Sequence, residues 1–125
     1  RASANRVPAM TSTITVVAHV TANPSSVAEV HNALLIAVDS TQSEEGCLHY
    51  RLYEDMDTQG HWTMLELWGD EDALTKHTLG EAYKNLSVAI DGNATVQVFR
   101  LAPAASVVKI ESVINPNFWL GNGLP

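Results

Sequence analysis

Residues 65–77 read LELWGDEDALTKH, and three of them could do chemistry together. Histidine moves protons near neutral pH. Tryptophan offers a flat apolar face against which a ring can lie. A carboxylate can orient the histidine or relay its proton. Glu66, Trp68 and His77 are therefore the candidate catalytic residues. Side chains alternate across a strand, so Trp62, Met64, Glu66 and Trp68 share one face while Thr63, Leu65 and Leu67 share the other. His77 follows Leu74 by three residues and Ala73 by four, which puts it on their inward stripe of a helix. Trp62, Met64, Tyr50 and Tyr83 are the candidate substrate-binding residues, an apolar slot for an aromatic ring. Glu66 on a covered face needs a partner, and Arg100, Arg51 or His77 could serve.

Other chemistries lack a local signature. Cys47 is the only cysteine, with no activating neighbour in the sequence, and reads as a small buried residue. It excludes an internal disulfide and a thiolate metal cluster, and it fits a reducing, cytoplasmic setting. Of the five histidines, His19 and His61 could meet across neighbouring strands, but no His-x-His or His-x-x-x-His spacing occurs, so no metal site is expected. Glycine-rich phosphate loops and a Gly-x-Ser-x-Gly turn are absent.

The elements that must position these residues follow from periodicity and turn signals. TSTITVVAHVTA (11–22) is a β-branched strand. Asn23 and Pro24 then open a helix to about 42, with Val27, Val30, Leu34 and Val38 at helical spacing. Gly46 turns the chain into a second strand, and HWTMLELW is the third. Asp70, Glu71 and Asp72 start a second helix that runs to about Ile90, with a break at Gly80. ATVQVFRLA is the fourth strand. The order β-α-β-β-α-β is ferredoxin-like, an α+β fold with an antiparallel sheet. Two helices can cover only one face of that sheet, yet both faces of the third strand are largely apolar. A second copy of the chain is the simplest cover, so a homodimer is expected.

The chain has 125 residues, 46% of them hydrophobic, enough for one domain with its own core. Seven basic residues against 14 acidic ones give a net charge of −7, which argues against nucleic acid and anionic membranes as partners. The longest apolar run, ALLIAV, is too short to span a bilayer. Residues 1–9 lack periodicity and precede Met10, and read as a tag or leader. The body is expected to span 10–102. Residues 103–125 form an extension whose Phe118-Trp119-Leu120 patch should dock on the body or on a neighbouring subunit.

EEGCLHYRLYED, LELWGDEDALTKH and the VVAHV strand together resemble the antibiotic biosynthesis monooxygenase domain family over residues 13–102. That resemblance implies a dimeric α+β barrel with a pocket in each subunit between sheet and helices, and it implies that Glu66 and Trp68 face that pocket. It further implies cofactor-free oxidation of a quinol, an anthrone or another small phenolic aromatic by dioxygen. Related proteins isomerise or degrade small phosphorylated molecules, or degrade haem with an Asn on the first strand. Here no Asn occurs on that strand before Asn23, which argues against haem, and no cofactor is expected. Two alternatives stand beside the oxygenase: an isomerase or lyase moving a proton on a hydroxycarbonyl compound, and a non-catalytic binding barrel.

Overall fold

The computed structural model describes residues 13–104. The readings of 1–9 as a leader and of the apolar patch near the C-terminus lie outside them. The observed order is β1 (Ile14–Ala22), a 3₁₀ turn (Pro24–Ser26), α1 (Val27–Thr41), β2 (Cys47–Glu54), β3 (His61–Trp68), α2 (Glu71–Thr78), α3 (Glu81–Ile90) and β4 (Ala94–Leu101). This is the ferredoxin-like α+β arrangement with its second helix broken in two. The break falls at Gly80, whose extended backbone caps α3. All strand pairs are antiparallel, in the order β2-β3-β1-β4.

The register sorts the inner face of the sheet into rows. One row runs Tyr50–Glu66–Val16–Arg100, and the next runs Leu52–Met64–Ala18–Val98. Along β3 every even residue from Trp62 to Trp68 is buried and every odd one is half-buried, so the helices cover the even face. The core gathers Val30 and Leu34 of α1, Val16 and Val20 of β1, and the tryptophans of β3.

Local signals account for how the helices are placed. Asp70 caps α2, its Oδ1 accepting from the Ala73 amide at 2.8 Å, and Glu71 and Asp72 complement the dipole in the first turn. Asn23 departs from its expected capping role. It precedes the 3₁₀ turn without a side-chain cap and instead donates to the Gly92 carbonyl, which ties the start of the first helix to the turn before β4. Gly46 has a φ of +81°, and a side chain there would run into Ala73 of α2. Only glycine lets the loop before β2 lie this close to α2. The third helix packs chiefly against α1 rather than down on β4. That leaves the inner face of β4 uncovered, with Val98 60% exposed, and opens a cavity between β4 and α3. No helix is long and apolar enough among the described residues to cross a membrane.

Candidate active site

The cavity measures about 560 Å³, within the usual range for small-molecule sites. Its floor is apolar, formed by Val16, Ala18 and Val98, and Leu86 and Ile90 of α3 stand opposite. Polar groups converge at one side. His77 lines the cavity from α2, only 4% exposed, and its Nδ1 lies 2.8 Å from Oε1 of Glu44 in the loop before β2. A carboxylate can only accept, so Nδ1 is the donor of this contact, and in the neutral imidazole the lone pair falls on Nε2. Tyr50 and Tyr83 stand edge-on to the imidazole, with ring centroids at 5.7 and 5.4 Å, and both line the cavity, as does Met64.

Glu66 is buried on the same face and accepts a hydrogen bond from Trp68 Nε1 at 2.9 Å. Burial pushes its carboxyl above the ordinary range, against the opposing pull of the Trp68 hydrogen bond and of His77. Burial, with the nearby Glu66 second, also pushes the Tyr50 hydroxyl well above the usual phenol range. It therefore stays protonated and can donate a hydrogen bond but cannot act as a base. Cys47 is half-buried, and its thiol is pushed up by burial and by Glu44, which makes it a poor nucleophile.

Three expectations need correcting. Trp62 does not line this cavity. It lies in the row beyond Met64, where α1 covers it and His31 stacks on its ring at 5.6 Å. Trp68 is not a ring platform either. It is fully buried behind the wall, with its ring 4.5 Å from that of His77 and its N–H on Glu66. Glu66 pairs with neither arginine and does not hold His77. Arg100 is taken by Glu71, and the acid on His77 is Glu44. Glu44 escaped the sequence reading because it lies 33 residues from His77 in a loop with no periodicity. The one signal that could have found it is its place just before Gly46, where the chain must pass close to α2. His19, whose Nδ1 meets the Thr63 hydroxyl at 3.0 Å, faces the other side of the sheet. Among the described residues no three His, Cys, Asp or Glu side chains are grouped to hold a metal ion.

A four-stranded ferredoxin-like sheet with a histidine-bearing cavity under its helices defines a small α+β domain built around a cavity of small-molecule size. The antibiotic biosynthesis monooxygenase pattern matches residues 13–89, and the chain belongs to that family. Its fold is shared with a crystal structure from Pseudomonas aeruginosa, at 28% identity and a TM-score of 0.72 over 77% of this chain and 98% of that one. A Mycobacterium tuberculosis structure matches at 27% identity and 0.71, covering 78% of this chain and 100% of that chain. A structure described as an antibiotic biosynthesis monooxygenase matches at 26% and 0.69, covering 74% and 99%. No curated protein sequence matches the chain.

Proposed function

We propose that the protein is a cofactor-independent monooxygenase that oxidises a small quinol, anthrone or phenolic aromatic with dioxygen. The observation that carries this reading is a buried His77 held by Glu44 at the wall of an apolar cavity. Family membership supports the reaction class. His77 Nε2 takes the acidic proton of the substrate, and the Glu44 carboxylate stabilises the imidazolium that forms. The Tyr50 hydroxyl donates to the substrate oxygen as its charge grows. Triplet dioxygen accepts one electron from the electron-rich anion, and recombination of the radical pair forms the new C–O bond as a peroxide. In an anthrone, His77 returns its proton to that peroxide. Loss of the second C–H proton with O–O cleavage then leaves the ketone and one water. Trp68 packs on the His77 ring from behind while its N–H holds Glu66, and Met64 and Tyr83 flank the ring. The apolar floor offers competing water no hydrogen-bonding partner beside the anion.

The proposal includes a homodimer formed through the outer face of the sheet. Leu65, Leu67 and Val17 stand there, beside a Phe99 that is 46% exposed and a Leu101 that is 45% exposed. It also includes a cytoplasmic setting, in which Cys47 stays reduced.

Oxygen uptake by metal-stripped protein with a panel of quinols and anthrones tests the reading. Uptake above the spontaneous rate, lowered about tenfold or more in Glu44→Gln, is expected. Turnover that is unchanged without oxygen would replace the oxygenase with an isomerase.

A further inference from the structure

Arg100 is the one lysine or arginine among the described residues that line the cavity. It stands on the inner face of β4, in the same row as Tyr50, Glu66 and Val16. Glu66 and Arg100 are two strands apart, which separates their backbones by about 10 Å. The row therefore carries a phenol and a carboxyl at one end, beneath His77, and a guanidinium at the other, with only Val16 between. That spacing suits an aromatic ring with a reacting hydroxyl on one side and an anionic substituent on the other.

The guanidinium is already holding a carboxylate. Arg100 Nη2 lies 2.7 Å from both oxygens of Glu71, which also lines the cavity. The two side chains are 59% and 63% exposed. Ion pairs this open to water are weakly held and readily exchanged. Glu71 also has somewhere to remain once released, because it sits in the first turn of α2, where the helix dipole favours an acid. The other acids on the cavity do not cancel the guanidinium. Asp91 precedes Ala94, which is six residues along β4 from Arg100, a distance of about 20 Å. Glu66 sits at the His77 end of the row and is tied to Trp68. Arg100 also lies beyond residues 13–89, the stretch that the family pattern matches.

We propose that Arg100 is a specificity residue that selects aromatic substrates bearing a carboxylate, which displaces Glu71 from the guanidinium. In the closed pair the Glu71 carboxylate occupies the place of the substrate's own. With the carboxylate anchored there, the ring lies over Val16 and Ala18, and its hydroxyl is directed to His77 and Tyr50. This rests on the phenolic-substrate reading above and narrows it to phenolic or hydroquinone acids.

The test is a calorimetric titration under nitrogen, so that turnover cannot intrude. Its ligands are the hydroquinone acid gentisate and its neutral amide, gentisamide. Wild-type protein is expected to prefer the acid by about tenfold, as a charge-assisted contact requires. In Arg100→Gln the preference falls to about one, because the acid is weakened and the amide is not. Removal of the internal competitor in Glu71→Gln tightens the acid by about threefold and leaves the amide alone. Both positions are exposed, so thermal unfolding should be unchanged and the loss of preference is not a loss of fold. Equal affinities in the wild type, no binding of either ligand, or a preference that survives Arg100→Gln would each overturn the proposal. An aerobic repeat separates it from the oxygenase reading. Arg100-dependent binding without oxygen uptake sinks the oxygenase and keeps the anion site. Uptake with neutral quinols that is indifferent to Arg100 does the reverse.

Discussion

The two tryptophans of β3 stand on the same face of the sheet, Trp62 2% and Trp68 0% exposed, and each has an imidazole against its ring. At the Trp62 end, His31 of α1 is half-buried and stacks at 5.6 Å, and among the described residues neither its ring nor the buried Trp62 Nε1 has a hydrogen-bond partner. At the Trp68 end, the indole N–H is used by Glu66, and the imidazole is buried, paired with Glu44 and open to a cavity. The residue types match. What separates a packing contact from a candidate site is a carboxylate brought in from a distant loop and a helix that leaves part of the sheet uncovered. A histidine beside a tryptophan thus says little until its second nitrogen and its access to space are known.

Replacing each histidine by alanine is the largest blow to this comparison. His77→Ala should lower kcat/KM for oxygen uptake by about 10²–10⁴-fold, whereas His31→Ala should leave it within about twofold, since neither His31 nor the Trp62 on which it stacks lines the cavity. Comparable losses in both would mean that the imidazoles act through packing alone.

A smaller effect separates the tryptophans. Trp68→Phe strips the donor from a buried carboxyl, and Trp62→Phe removes an N–H that has no partner. The rings are similarly buried, so their packing losses should roughly cancel. Trp68→Phe should then cost about 1–3 kcal/mol more in urea unfolding. Equal costs would show that the Glu66 hydrogen bond contributes nothing net.

The least effect is the pH dependence of Glu66. Its carboxyl is raised in the folded protein, so the folded state holds a proton that the unfolded chain has lost. That contribution is complete below the ordinary value of 4.5 and is lost as pH rises through the raised one. Glu66→Gln cannot lose it. Its stability relative to wild type should therefore climb as pH rises above 4.5 and then level off, in unfolding curves taken from acid to neutral pH. A difference that is flat across that range would place the ionised carboxylate comfortably in its pocket.

Most of the architecture was legible because it depends on local periods. Alternation along 61–68 sorts Trp62, Met64, Glu66 and Trp68 from their neighbours, and the spacing of Ala73, Leu74 and His77 sets the buried stripe of α2. Asp70 at a helix start and Gly80 at a helix break are signals of one or two residues. The contents of the site were less legible. Nothing local distinguishes Trp62 from Trp68, links Glu44 to His77, or reserves Arg100 for Glu71 across 29 residues.

The amino-acid sequence by itself determined the order of elements, the face on which each side chain lies and the ferredoxin-like class, since backbone geometry repeats every two or 3.6 residues whatever the rest of the chain does. Only the tertiary structure decided which part of that face stays open. The landing of α1 over Trp62, the packing of α3 on α1 rather than on β4 and the approach of the Gly46 loop to α2 are compromises among many distant contacts. The cavity exists where that packing leaves the sheet bare, and no short stretch of residues encodes it.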